Sequence, residues 1–332
     1  MRRTLSAVFA LALLLPGVAA AQSLGGTASV NTDPFTVSVA PQYPAPMNAA
    51  TLSFISSTLD LTNATMTVSV GSKQIYQGSV QPVILTTGKA GSVTTAKVTI
   101  TSAGTPYTQS VVIQPEDVSL IAEPISSAPV LYPGKPLVPL EGSTRIVAMA
   151  SFADAAGKKI DPATLSYSWT VDGALIADSS GIGKSSILVA SPLQYRLRDV
   201  SVVVQSQIGS LAGGSAMSLD PVAPSVRVYE NDPLLGIRFD RALAASYTIR
   251  GAEASLYAAP FSFPTTGGTP LLHWFLNGTS AQTGNLITLR PSGNGQGSAS
   301  LSLTAGSGTS LATANLSLLF GAAPSSNLFF GL

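Results

Sequence analysis

A tryptophan-bearing segment that occurs twice is the feature that most constrains this chain. Residues 165–173 and 271–278 each place one of its two Trp residues in an alternating apolar strand. Each segment ends in Asp-Gly or Asn-Gly, pairs that adopt the positive φ angles of a tight hairpin turn. The two Trp residues lie roughly 100 residues apart, the length of one small β-sandwich. The repeat therefore predicts tandem domains of that size.

A third, degenerate copy lies at residues 66–72 if Val68 takes the place of the Trp. Short alternating runs bounded by Gly, Pro, Asn and Ser fill the rest of the chain, and sustained helical periodicity is absent. These patterns predict an all-β chain of three tandem sandwiches with little helix. We place the domains at residues 30–117, 118–222 and 223–320, followed by an apolar C-terminal tail at residues 321–332.

Trp169 and Trp274 are the predicted core anchors of domains two and three. Each stands on the central strand of its segment. A Trp at such a position packs across onto the opposing sheet in immunoglobulin-like sandwiches. We therefore interpret both indoles as core residues rather than as ligand-binding residues.

The segments resemble those of a known group of domains. The Tyr-Ser-Trp of residues 167–169 and the Asp-Gly of residues 172–173 resemble the aromatic-x-Trp and Asp-Gly turn of PKD-like and other bacterial immunoglobulin-like domains. The wider arrangement, with residues 131–135 opening domain two and residues 229–236 opening domain three, is similar to exported three-domain proteins of ultra-small candidate-phylum bacteria. The resemblance implies three tandem immunoglobulin-like (PKD-like) β-sandwich domains and brings no established activity.

The N-terminus has the three parts of a secretory signal peptide. Arg2 and Arg3 precede an apolar run at residues 7–15, a Pro-Gly breaker and small residues that end at Ala21. We expect cleavage after Ala21, which makes residues 1–21 the signal peptide. A membrane anchor is the alternative, but the run is too short to span a bilayer as a stable helix. The mature chain is expected in the cell envelope, at the cell surface or outside the cell, without a transmembrane anchor.

Composition excludes several classes of function. The chain has no Cys and one His, so disulfides, thiolate metal sites and conventional zinc sites lack their ligands. Its formal net charge is +1, and no basic cluster favours nucleic acid. Charged residues make up only 10% of the chain and hydrophobic residues 45%, a balance typical of folded chains. We therefore predict no cofactor and no nucleic-acid partner.

Two motifs invite a catalytic interpretation. His273 alternates with Leu272 and Trp274, so we expect it to face solvent if Trp274 faces the core. Residues 180–185 contain Gly-Lys-Ser but lack the first Gly of a phosphate-binding loop and precede a predicted strand, which favours a hairpin loop. We predict no catalytic residues and no enzyme, with a carboxylate-based envelope hydrolase as the enzymatic alternative.

Glu230, Asn231 and Asp232 sit at the predicted join between domains two and three. Oxygen ligands at such a join can hold Ca²⁺, which usually takes about 6–8 of them. The motif supplies two carboxylates and one amide. A capped turn in which Pro233 fixes the linker is therefore the favoured interpretation, with calcium as the alternative.

The tail is apolar at its end. Its cluster consists of Leu328, Phe329, Phe330 and Leu332. This cluster is too short to anchor in a bilayer. A docking peptide that extends a sheet or fills a groove of a partner is one interpretation. A frayed terminus, or one packed on domain three, is the other.

Together these features predict an exported, non-enzymatic structural or adhesive protein of the cell envelope. Its partner would be a protein or another envelope component. The alternative is a binding or accessory subunit of an envelope machine, such as a pilus or a secretion apparatus, docked through the tail or a sheet edge.

Overall fold

Three pairs of β-sheets follow one another along the chain. The computed structural model describes residues 33–154, 156–209, 211–292 and 296–321. These residues form strands β1 to β24 and two short 3-10 turns, and they contain no α-helix. Each pair of sheets encloses a separate hydrophobic core. The prediction of an all-β chain of three tandem immunoglobulin-like sandwiches is confirmed.

Domain one packs a three-stranded sheet, ordered β1-β2-β5, against a four-stranded sheet, ordered β4-β3-β6-β7. Alternate residues such as Leu52, Met66 and Ile100 are buried between the sheets, as the period-2 pattern requires. This arrangement is that of a seven-stranded sandwich. The strands are β1 (Thr36–Ala40), β2 (Ala49–Ile55), β3 (Thr65–Val70), β4 (Lys73–Ser79), β5 (Val83–Thr86), β6 (Thr94–Ser102) and β7 (Thr105–Ile113).

Domain two repeats this topology. One sheet is ordered β13-β9-β8 and the other β11-β10-β14-β15, with the short strand β12 also paired to β10. The 3-10 turns are Pro162–Thr164, which Asp161 caps, and Ala177–Ser179. The strands are β8 (Asp117–Pro124), β9 (Ser143–Ser151), β10 (Ser166–Val171), β11 (Ala174–Leu175), β12 (Gly181–Ile182), β13 (Ser186–Ala190), β14 (Arg198–Gln205) and β15 (Ala212–Leu219).

Domain three elaborates the same plan at its first strand. The chain forms a β16-β17 hairpin in one sheet, ordered β17-β16-β19-β22. It then crosses to the other sheet, ordered β18-β24-β23-β20-β21, where β18 pairs parallel to β24. The strands are β16 (Ser225–Asp232), β17 (Gly236–Leu243), β18 (Ser246–Ile249), β19 (Ala254–Phe261), β20 (Leu271–Leu276), β21 (Thr279–Thr283), β22 (Leu286–Leu289), β23 (Gly297–Ser307) and β24 (Ser310–Phe320).

The Trp position is structurally equivalent in the three domains. Trp169 pairs with Val202, Trp274 with Leu303, and Val68 with Val98. Both indoles are fully buried, and each donates its Nε1–H to a loop carbonyl two residues before β13 or β22, over 2.8 Å in both cases. The turn that follows is anchored alike, because the side chains of Asp172 and Asn277 accept a backbone N–H from the neighbouring strand.

Domains one and two are joined by residues 114–116 alone. The backbone N–H of Gly91 in domain one donates to the carbonyl of Pro115 over 2.9 Å. The ring of Tyr43 lies against Gly214 on β15 of domain two, where a Cβ would come within 2.7 Å of Tyr43 Cδ2. Glycine inside a strand thus permits the close approach of the neighbouring domain. Contacts between the domains, and not the linker alone, therefore hold this joint.

A loop of domain two, residues 125–142, clamps onto domain three. Ser127 donates its N–H to the carbonyl of Phe263 over 2.8 Å, and its own carbonyl accepts the N–H of Ser262 over 3.1 Å. The ring of Tyr132 makes edge contacts with Phe239 and Phe261, at centroid distances of 5.6 and 5.0 Å. These contacts extend the joint beyond the short linker at residues 220–224.

Two segments do not lie where the sequence interpretation put them. Residues 131–135 do not open domain two, since they follow its first strand and lie in the clamping loop. Residues 229–236 do not open domain three, because they form the end of β16 and its hairpin turn. The first strand of domain three begins at Ser225, where Val226 and Val228 already face the core. The second prediction is wrong because the alternating residues of β16 lie directly before a turn motif that resembles the start of a domain.

Replacing Trp169 or Trp274 with Ala should lower the free energy of unfolding of the affected domain by about 3–5 kcal/mol, because a large buried aromatic is lost. Calorimetry of the whole chain measures the effect. His273→Ala is the matched control, since His273 is exposed on the same strand as Trp274. It should change stability by under about 0.5 kcal/mol. Melting of both Trp variants at the wild-type temperature would overturn the core-anchor assignment.

Gly214→Ala should destabilise the joint between domains one and two by about 1–3 kcal/mol, since the added Cβ collides with the Tyr43 ring. Gly306→Ala on β23 is the control, because its Cβ would meet only ordinary contacts at 3.7 and 3.9 Å. Limited proteolysis near residues 114–116 reports opening of the joint. Equal protease resistance of the two variants would show that Tyr43 does not hold the joint.

Candidate functional site

A polar cleft opens at the end of domain three that faces away from domain two. Strand β16 starts at the joint, where Ser225 pairs with Phe261, and runs to this distal end. The cleft has a volume of about 530 Å³ and lies between edge strands β17 and β18. We call it the distal cleft. Six ionisable side chains define it: Glu230, Arg238, Arg241, Tyr247, Arg250 and Glu253.

An irregularity in β17 shapes the distal cleft. Tyr229 pairs with Ala242 and Asn231 pairs with Ile237, so Glu230 alone is opposed by residues 238–241 of β17. A bulge of this kind re-aims side chains and is over-represented next to binding and active sites. Here it places two of the three cleft arginines, Arg238 and Arg241, in the excess loop beside Glu230.

Part of the charge in the distal cleft is neutralised within the domain. Arg238 donates to both carboxylate oxygens of Asp240 over 3.0 Å each. Arg290 pairs with Glu253 over 2.9 Å. Among the described residues, Arg241 and Arg250 form no salt bridge and no side-chain hydrogen bond. These two exposed guanidinium groups are available to an anion.

Tyr247 and Glu230 form a half-buried polar contact in the cleft. The hydroxyl of Tyr247 donates to Glu230 Oε1 over 2.9 Å. Burial, and then the hydrogen bond to Glu230, raise the pKa of Tyr247 to about 12. The phenol therefore stays protonated at physiological pH and keeps Glu230 in place as an acceptor. The arrangement can bind an anionic, hydroxylated ligand through fixed donors and acceptors.

The core-anchor residues lie outside this cleft. Trp169 and Trp274 are enclosed in the cores of domains two and three. His273 is exposed on β20, paired with Thr283 and Thr304. The Gly-Lys-Ser loop at residues 183–185 leads into strand β13 and not into a helix.

The motif considered for calcium is not at the domain junction. Glu230, Asn231 and Asp232 end β16 at the distal end of domain three. Asn231 donates to Ser255, and Asp232 accepts the backbone N–H groups of Leu234 and Leu235 over 2.8 and 2.9 Å. Asp232 thus caps a hairpin turn inside the domain rather than a linker. In the part of the chain that the structure describes, no three acidic or histidine side chains are arranged to hold a metal ion.

Two sequence predictions fall on residues that the structure does not describe. The signal peptide at residues 1–21 and the tail cluster of Leu328, Phe329, Phe330 and Leu332 both lie outside the described residues. Within the described ranges, no helix is long and apolar enough to cross a bilayer. Retention through the tail therefore stays a prediction.

Sequence reasoning missed the distal cleft. The signal available was a run of three arginines in thirteen residues, Arg238, Arg241 and Arg250, in a chain where charged residues make up only 10%. The run does not form a contiguous basic cluster, so the sequence alone does not indicate a site there. Only the crossing from β17 to β18 brings its side chains to one opening.

No protein-family model matches the chain, and no curated protein matches it. Solved structures, in contrast, do match the chain. Three N-terminal domains of the highly immunogenic outer capsid protein Hoc of bacteriophage RB49 are 14% identical, with 87% of this chain and 100% of that chain covered, at a TM-score of 0.25.

The central fibronectin III array of RIM-binding protein is 9% identical, with 87% and 96% of the two chains covered and a TM-score of 0.29. Sidekick-1 immunoglobulin domains 1–5 are 11% identical, with 86% of this chain and 58% of that chain covered, also at 0.29. Both are tandem arrays of β-sandwich domains. At these identities and TM-scores the likenesses support no conclusion about a role or a ligand.

Glu116 is a second group that invites a chemical role. It is only 3% exposed, in the linker between domains one and two, and one carboxylate oxygen accepts the N–H of Ala153 over 3.2 Å. The other oxygen has no hydrogen-bond partner. Burial raises the pKa of this carboxyl group above its ordinary value. Glu116 does not line the distal cleft, so its effect is on the joint.

A raised pKa means that the folded chain favours the protonated form of Glu116, so its destabilising effect appears as the pH rises above the ordinary glutamate range. Glu116→Gln should therefore be more stable than wild type at pH 7 by roughly 1–2 kcal/mol, because the buried charge is removed. At pH 4 the difference should vanish. Thermal melts at the two pH values test this, and an equal difference at both would exclude ionisation as the cause.

Proposed function

We propose that this chain is an exported, non-enzymatic array of the cell envelope that combines a structural and an adhesive role. The packing of both domain joints carries this proposal. A linker of three residues, with Tyr43 seated on Gly214, joins domains one and two. The loop at residues 125–142 clamps domain two onto domain three. An array joined in this way holds its distal end at a fixed distance from its base.

The position of the distal cleft supports an adhesive function. The cleft lies at the end of domain three where β16 and β18 finish, away from the linker at residues 220–224. Its carboxylates are held in structural pairs, Glu230 by Tyr247 and Glu253 by Arg290. The partner would be an envelope component or a surface ligand that carries negative charge.

The N-terminal sequence and the PKD-like resemblance support export. Their pattern of basic, apolar and small residues is that of a secretory signal peptide. An accessory subunit of a pilus or secretion apparatus is the alternative. It differs in requiring one protein partner docked through the tail or a sheet edge.

In cells that produce the full chain, the exported protein should begin at Gln22 and be accessible to added protease. Mass spectrometry of the envelope fraction and of the medium measures both. Leu13→Arg is the control, because a charge in the apolar run should block export and leave the uncleaved chain inside. An uncleaved wild-type chain protected from protease would overturn the proposed localisation.

Deletion of residues 327–332 separates the two alternatives. If the tail docks into an envelope machine, the truncated chain should keep its melting temperature and move from the envelope fraction to the medium. If the array is retained in another way, retention should be unchanged. Crosslinking followed by identification of the captured partner distinguishes one dedicated protein from a polymer of the envelope.

A further inference from the structure

Two guanidinium groups of the distal cleft are free to bind an anion. Arg241 lies in the β17 irregularity and Arg250 directly follows β18, so they approach the opening from different strands. Neither is paired within the described residues. Guanidinium groups bind planar oxyanions with two parallel hydrogen bonds, which suits a carboxylate. The cleft therefore offers carboxylate recognition from both sides.

The same cleft also contains hydrogen-bond acceptors. Glu230 accepts from Tyr247 through Oε1, and its second carboxylate oxygen has no hydrogen-bond partner among the described residues. Ser246 and Thr248 add hydroxyl groups beside it. An ion such as phosphate or sulfate has few or no hydrogen-bond donors at neutral pH and would leave the free oxygen of Glu230 without a donor. A ligand that carries a carboxylate and several hydroxyl groups satisfies both halves of the cleft.

We propose that the distal cleft binds a carboxylate-bearing saccharide, such as a uronic acid unit of an acidic glycan chain. Arg241 and Arg250 bind the carboxylate, and Glu230 accepts a sugar hydroxyl. A volume of about 530 Å³ has room for a small oligosaccharide, since ligand pockets run from roughly 300 to 1,000 Å³. This inference rests on the proposed adhesive function and names its ligand class.

Calorimetric titration of the mature chain, residues 22–332, with a trimer of galacturonic acid tests the proposal. The matched ligand is the methyl-esterified trimer, which keeps the hydroxyl groups and loses the charge. The matched protein is Arg196→Gln, which removes one exposed cation from domain two, outside the cleft. The acidic trimer should bind wild type and Arg196→Gln equally. The double variant Arg241→Gln/Arg250→Gln should bind at least about tenfold more weakly.

Three results would overturn the inference. These are no binding of the acidic trimer, equal binding of acid and ester, or tighter binding of a tri-aspartate peptide, which would make the ligand a protein segment. An unchanged melting temperature of the double variant would show that weaker binding comes from lost contacts and not from lost folding. Envelope fractionation of the same variant tests the proposed export and retention independently of the ligand class. A chain that is exported and retained in the envelope but does not bind the trimer would refute the ligand class and leave the proposed function untouched.

Discussion

Burial of one side chain between the sheets organises each sandwich. In domains two and three, an indole fills the centre of the core while its N–H binds the carbonyl just ahead of the facing strand. That bond ties the central strand of one sheet to the chain entering the other. Domain one has Val68 at the same position, fully buried but without a polar group to make the tie. Its core has no such tie at this position, and a chain without Cys cannot supplement it with disulfides.

The strands were predictable wherever one face of a sheet is buried, since alternation then reports the fold directly. The segments around Trp169 and Trp274 are of this kind, and so is the Val68 segment that lacks the indole. The β16-β17 hairpin was not recognised, because its turn resembles a linker motif and four residues of β17 oppose one of β16. Such an irregularity breaks the period on which the inference relies.

The joints and the distal cleft were beyond the sequence for a related reason. Both depend on which surfaces contact each other, and the alternation of apolar and polar residues carries no information about that. Gly213 and Gly214 hint at a close approach inside a strand, but nothing in the sequence connects them to Tyr43. In the same way, Arg241 and Arg250 become neighbours of one opening only because the chain changes sheets between them. The composition of the cleft follows from the topology and not from a sequence motif.

The strand order gives the three domains different resistance to pulling. The first and last strands of domains one and two, β1, β7, β8 and β15, are edge strands with one neighbour each. In domain three, β16 lies between β17 and β19, and β24 lies between β18 and β23. Tension along the chain must shear two hydrogen-bonded ladders to extract either terminal strand of domain three, but only one in the other domains. Under tension along the chain, we therefore expect domain three to unfold after domains one and two.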